Sequence, residues 1–115
     1  MKFMLLICPD PTIELSAEDK RTISPEAQAW VAEMEGRGVR LRGQELAPVD
    51  DATTIRLRQG EVVIADGPFA ETKEYIAGYD ILECADIDEA VDVASKHPVA
   101  RFGAVEVRPF HDDGD

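Results

Sequence analysis

The segment 2–8 constrains the fold more than any other part of the chain. Both of its alternating side-chain sets, Phe3/Leu5/Ile7 and Met4/Leu6/Cys8, are apolar. In a strand these sets point to opposite faces. Such a strand needs cover on both sides, which places it at the centre of a sheet. With 115 residues, 44% of them hydrophobic, the chain can build one modest core and has little left to cover a second face.

The segment 9–23 is polar and punctuated by Pro9 and Pro11. It is expected to be a long loop, in which Ser16-Ala17-Glu18-Asp19 can cap a single helical turn. A helix is predicted to start at Ser24, with Pro25 at the first helical position and Glu26 near the positive end of the dipole. Ala27, Trp30, Val31 and Met34 then recur at helical spacing and make one apolar stripe that ends at Gly36 and Gly38, with Trp30 as core anchor. Residues 39–46 and 53–58 alternate as half-buried strands. Gln59-Gly60 suits a type I′ turn, so residues 61–65 should return as a hairpin arm. Residues 77–84 form another strand, and Asp86-Ile87-Asp88-Glu89 opens a helix with Ile87, Ala90, Val91 and Ala94 facing inward. Lys96 and His97 sit where the helix dipole favours cations, Pro98 ends the helix, and residues 104–108 make the last strand. Residues 1–110 thus form a single domain, followed by an acidic tail at 111–115.

This order predicts a ferredoxin-like α+β fold: an antiparallel sheet with two helices on one face and an inserted β-hairpin. Residues 77–84 add Tyr79/Ile81 to one face and Leu82/Cys84 to the other, yet two helices cover only one. A homodimer packed sheet to sheet supplies the missing cover.

Charge and motifs narrow the partners. Twelve basic residues against 24 acidic ones give a net charge of −12, a field that repels phosphate backbones and anionic membranes, so neither direct nucleic-acid nor membrane binding is expected. The apolar start is too short to span a bilayer and runs into Pro9-Asp10-Pro11 rather than a small-residue cleavage site, which suggests a cytoplasmic protein. Cys8 and Cys84 have neither metal-ligand spacing nor a CxxC pattern. Each lies at the C-terminal end of its strand in a predicted antiparallel pair, so both should be reduced and far apart. The sequence has no HExxH, P-loop, GxGxxG or Ser/His/Asp order, and no metal or cofactor is expected.

The stretch Asp66-Gly67-Pro68-Phe69-Ala70-Glu71-Thr72-Lys73-Glu74, running on to Gly78-Tyr79, combines a sharp turn, an aromatic anchor, three carboxylates and a lysine. Together with the Met1-Lys2-Phe3-Met4-Leu5-Leu6-Ile7 start and the Val105-Glu106-Val107-Arg108-Pro109 end, it resembles the DGPF branch of the YciI-like (YCII-related) proteins. The resemblance covers nearly the whole chain and implies the dimeric α+β barrel superfamily. YciI-like proteins outside that branch carry a His–Asp pair with the histidine near the start of the first helix. Here that region reads Pro25-Glu26-Ala27-Gln28-Ala29-Trp30, without a histidine.

The predicted topology gathers Asp10, Asp66, Glu71, Lys73, Tyr79, His97 and Arg101 at one end of the sheet, over an apolar floor. Asp66 is the candidate catalytic acid or base, although an Asp before Gly can also simply fix its own turn. Lys73, Tyr79, Arg101 and Asp10 are candidate ligand-binding residues. Gly67, Pro68 and Phe69 shape the loop, through permissive φ, fixed φ and a hydrophobic plug respectively. Two functional readings follow. One is a cofactor-free lyase, isomerase or dehydrochlorinase-like reaction on a small metabolite, by analogy with enzymes of this superfamily. The other is a non-catalytic sensor or accessory protein linked to transcription through a protein partner, since DGPF proteins resemble ones described as sigma-factor-associated.

Overall fold

The computed structural model of the chain describes residues 1–67 and 75–111. Along these residues run β1 (Lys2–Pro9), α1 (Ala17–Gly36), β2 (Arg40–Glu45), β3 (Thr53–Arg58), β4 (Glu61–Asp66), β5 (Gly78–Glu83), α2 (Ile87–Ser95) and β6 (Gly103–Pro109), with short 3-10 turns at Val49–Asp51 and Pro98–Arg101. Four strands form one sheet in the order β2-β5-β1-β6, and every neighbouring pair is antiparallel. This is the ferredoxin-like α+β arrangement expected from the sequence. β1 lies inside the sheet, as its two apolar sets require.

The core forms on the helix side of the sheet. Phe3, Leu5 and Ile7 of β1 and Leu82 of β5 meet Trp30 and Met34 of α1 and Ala90, Val93 and Ala94 of α2. Trp30 is the anchor its position suggested: its Nε1–H donates to the Val93 carbonyl at 2.9 Å and ties the two helices together. Such a bond contributes about 1 kcal/mol net. On the opposite face Met4, Leu6, Cys8, Tyr79 and Ile81 are only half-buried. The thinnest dimension of the molecule, 18 Å, accommodates one sheet and one helix layer but no third layer.

Three expectations are corrected. The first helix begins at Ala17 rather than at Ser24 and Pro25, which leaves only a short connection where a long loop was expected. Ser16 is the true N-cap, its hydroxyl accepting from the Asp19 N–H at 3.0 Å. Glu18 and Asp19 add negative charge at the positive end of the dipole. Pro25 lies inside the helix on an exposed position, where it removes one donor without ending the element. In α2 the inward face carries Ala90, Val93 and Ala94, while Ile87 and Val91 are about half exposed. The helix is thus rotated from the expected stripe, as the close approach of small Ala90 and Ala94 to the sheet allows.

The third correction concerns the hairpin. Its turn has the expected chemistry, with φ of 52° at Gln59 and 79° at Gly60, the doubly positive pattern of a type I′ connection. Residues 53–58 were expected to be half-buried, yet β3 and β4 pair only with each other as a separate two-stranded sheet. No described element of the body packs broadly on them, so Ile55, Leu57, Val62 and Ile64 stay open.

Candidate functional site

A cavity of about 580 Å³ opens between α1 and the helix-facing side of the sheet. Its apolar walls come from Ile7 and Pro9 at the end of β1, Ile23, Ala27 and Val31 of α1, and Val99 of the 3-10 turn. Its polar lining includes Arg40, Asp80 and His97, with Ser24, Gln28, Gln44, Glu45 and Tyr75 around them. Apolar walls with a few convergent polar groups are the usual make-up of a small-molecule site.

Asp80 sits opposite Leu5 across β1 and opposite Gly43 across β2, which puts it on the helix-facing side in the row Gly78/Asp80/Leu82. Its side chain is 8% exposed and that of Arg40 is 11% exposed. Arg40 Nε donates to Asp80 Oδ1 at 2.7 Å, and Arg40 Nη1 donates to Glu35 Oε1 at 3.2 Å. A bulge in β2 between Arg40 and Arg42 shifts the register beside this pair. Gly43 supplies the room. A Cβ there would overlap Asp80 Oδ1, and it would lie 2.6 Å from Arg40 Nη2 and 2.5 Å from the Tyr79 carbonyl oxygen. Desolvating two charges is costly, and the good geometry of the pair offsets that cost.

His97 was expected to be a helix-end cation that also joins the groups gathered at one end of the sheet; it does line the cavity, but it is 7% exposed. Pro98 does end the helix, but it also opens a 3-10 turn that His97 caps, the Val99 N–H donating to His97 Nδ1 at 3.1 Å. This turn folds the ring inward, where Trp30 meets it edge-on at 4.9 Å between centroids. Burial lowers the imidazole from the ordinary histidine value and outweighs the charge of Asp80, which pulls the other way. The ring is therefore uncharged at neutral pH. With Nδ1 accepting, the hydrogen-bond network assigns the proton to Nε2. A buried neutral histidine and a paired carboxylate thus line one cavity.

The residues singled out from the sequence are dispersed. Tyr79 borders the cavity through β5, although strand alternation turns its side chain to the sheet face opposite Asp80. Asp10 is not among the lining residues; its Oδ1 accepts from the Thr12 N–H at 2.9 Å and from the Thr12 hydroxyl at 2.7 Å. Arg101 is drawn to Glu26 at 2.7 Å and lies 5.1 Å over the Phe102 ring, also outside the lining. Asp66 is exposed at the end of β4 and does not border the cavity. Gly67 has a φ of 96°, where glycine is favoured, and its N–H donates to the Ala52 carbonyl at 2.7 Å. Pro68, Phe69, Glu71 and Lys73 lie outside the described residues.

Sequence reasoning missed Asp80, Arg40 and Gly43. Asp80 was the findable one, as an acid in the alternating set of β5 that otherwise faces the core. Among the described residues no group of three or more histidines, cysteines and carboxylates could hold a metal ion, and no helix is long and apolar enough to cross a membrane.

Among solved structures, the chain is similar to 5-chloro-2-hydroxyhydroquinone dehydrochlorinase (TftG) from Burkholderia phenoliruptrix AC1100, in its complex with 2,5-dihydroxybenzoquinone. The two share a TM-score of 0.52 at 16% identity, covering 96% of this chain and 94% of that one. At that identity the likeness establishes the fold alone. Among curated proteins, the chain is 46% identical over 67 residues to the uncharacterized protein R00369 of Rhizobium meliloti (strain 1021), which is 56% of this chain and 54% of that protein. The chain thus spans about half the length of the curated relative it matches. The YCII-related domain pattern extends across residues 1–112, from β1 through the cavity-lining strands to the end of β6. The chain belongs to the YCII-related domain family.

Proposed function

We propose that the chain works as a homodimer that binds a small, oxygen-bearing cyclic metabolite in the cavity beside α1 and performs cofactor-free acid–base chemistry on it. One observation carries this reading: Asp80 and an uncharged His97 line the same largely apolar cavity. Asp80 removes a proton from a carbon next to a ring carbonyl, and His97 Nε2–H donates to the oxygen on which charge develops. Returning the proton to another carbon gives an isomerisation, and loss of a leaving group from that carbon skeleton gives an elimination. The dehydrochlorinase of similar fold supports the second outcome by analogy. Asp66, the acid–base group expected from the sequence, lies outside the cavity lining, so the role moves to Asp80.

One observation favours the competing reading of a non-catalytic sensor or accessory protein: Arg40 already engages Oδ1 of Asp80, as a purely structural pair would. A panel of hydroxylated aromatics, quinones and unsaturated lactones, screened by thermal shift and then for turnover, separates the two. Asp80→Asn keeps an oxygen for Arg40, and His97→Asn keeps an acceptor for the Val99 N–H. Each should lower turnover by about 10²-fold or more while the ligand still raises the melting temperature. Binding without turnover in the parent protein would establish the sensor reading instead.

A further inference from the structure

The charges around the cavity are answered within the protein, and the polar groups left open there are mostly uncharged. Arg40 is the one cation among its described lining residues, and it is already engaged, through Nε by Asp80 and through Nη1 by Glu35. His97 is buried and neutral. The remaining charged lining residue, Glu45, is exposed at the end of β2 and adds a negative charge. Outside the lining, Arg101 is held by Glu26 at 2.7 Å. Residues 68–74, beyond the described residues, carry Glu71 and Glu74 against Lys73, so by composition they do not reverse the sign. We propose that the cavity selects an uncharged ring bearing hydroxyl groups and rejects its carboxylated counterparts, with Ser24, Gln28 and Gln44 as the groups that bind the hydroxyls. This rests on the small-molecule site of the proposed function and names the class of ligand it takes.

Ser24 and Gln28 sit one turn apart on α1, on the side that also brings Ala27 and Val31 to the cavity, and Gln44 reaches it from β2. None of these three side chains bonds to another described residue. Together they offer donors and acceptors without charge. Asp80 adds a further acceptor. Its Oδ1 is taken by Arg40, and no buried side-chain oxygen among the described residues lacks a partner. Oδ2, which no described residue bonds, is therefore open to the cavity and can accept from a ligand O–H. A carboxylate in the same place would lose its water against Ile7, Ile23 and Val31 and find no free cation in return. It would also meet Glu45 and the field of a chain whose net charge is −12. A cation gains little, because Arg40 already answers the charge of Asp80.

Heteronuclear NMR titration of the full chain with three probes tests the proposal. Gentisyl alcohol, gentisate and the corresponding benzylamine share one dihydroxylated ring and differ in the charge of one small substituent. The alcohol should shift the amides of Gly43 and Gly78, which line the cavity, and bind at least about tenfold more tightly than the other two. Glu45→Gln should leave its affinity within about twofold and strengthen gentisate by about threefold or more. Ala27→Trp, which fills the cavity from α1, should abolish binding with unchanged far-UV circular dichroism; should that variant fail to fold, the shifts in the parent protein locate the probe. Gentisate binding as tightly as the alcohol, the amine binding most tightly, or gentisate indifferent to Glu45→Gln would overturn the charge selection while leaving the cavity a ligand site. Shifts confined to residues away from the cavity, or binding that survives in a folded Ala27→Trp, would place the probe elsewhere and overturn the proposal. A parent protein that binds none of the three would overturn both the proposal and the site on which it rests.

Discussion

Replacing Gly43 by alanine adds a single methyl group at the most crowded point of the site, and its cost follows from the geometry. Ordinary contacts of a Cβ begin near 3.4 Å, whereas this one would lie 2.5 Å from the Tyr79 carbonyl oxygen, 2.6 Å from Arg40 Nη2, and closer still to Asp80 Oδ1. The carbonyl belongs to the neighbouring strand and cannot rotate away, so either β2 and β5 separate locally or the Arg40–Asp80 pair opens. Overpacking alone costs about 1–3 kcal/mol, and breaking a buried ion pair outright costs about 3–5 kcal/mol. Partial relief by both routes puts the expected loss at about 2–4 kcal/mol. For a chain of this size that is a fall in melting temperature of roughly 8–16 °C. Urea unfolding followed by far-UV ellipticity and tryptophan fluorescence measures it, with Gly36→Ala as reference. Gly36 has nothing within 4 Å of its built Cβ and ends α1, so alanine there should be neutral or stabilise by up to about 1 kcal/mol. If Gly43→Ala lies within about 0.5 kcal/mol of the parent protein, the two strands are more pliant than this reasoning requires, and the glycine is not what makes room for the buried pair.

Three further outcomes are expected. The imidazole of His97 is pushed below its ordinary value of 6.5, so the unfolded chain takes up that proton first. His97 therefore contributes fully above the unfolded value, and its contribution is lost as pH falls toward the folded one. The unfolding free-energy difference between the parent protein and His97→Asn should accordingly shrink between about pH 7 and pH 5, and a difference that is flat or grows on acidification would contradict the buried neutral ring. Ser16→Ala should cost about 1 kcal/mol through loss of the cap on α1, whereas Ser24→Ala should cost less; the reverse ranking in urea midpoints would restore the helix start at Ser24. Burial pushes the Cys84 thiol up, helped by Glu89, so Cys84 should react with a thiol reagent only as fast as the protein opens. Non-reducing mass spectrometry should find no link between Cys8 and Cys84, because Cys84 bonds beside Met1 while Cys8 pairs with Ala104 at the far end of β1.

Strands and their order were legible because their signals are local: the double apolar set of β1, the Gln59-Gly60 turn, and the cap of α2, where Asp86 Oδ1 accepts from the Glu89 N–H at 2.9 Å. The start of α1 was not. Pro25 after Ser24 is a strong local sign of a helix N-terminus, yet the helix starts at the Ser16 cap and runs through it. The site was legible least of all. The fate of His97 depends on a 3-10 turn that carries it under Trp30, a contact between residues 67 positions apart. Asp80 and Arg40 are also far apart in sequence and meet only because of strand register and a bulge. The loop at 66–74 drew attention through its density of unusual residues, yet Asp66 lies away from the cavity that the sheet and α1 enclose.

The position of β1 also sets the order in which the protein can be made. This strand pairs with β5 and β6, so Phe3 meets Pro109 and Cys8 meets Ala104, and β1 closes onto a strand made long after it. At ordinary rates of about 5–20 residues per second, roughly 5–20 s separate the appearance of the two. During that interval β1 lacks its β6 neighbour, and for most of it β5 as well, since residues 78–83 are also made late. Long-range pairing of this kind slows folding relative to helical proteins of similar size, and an unpaired apolar strand is what chaperones bind and aggregates grow from. Removal of β6 should therefore do more than lose one edge of the sheet: it makes the apolar β1 itself the edge, with a row of unpaired backbone groups open to other chains.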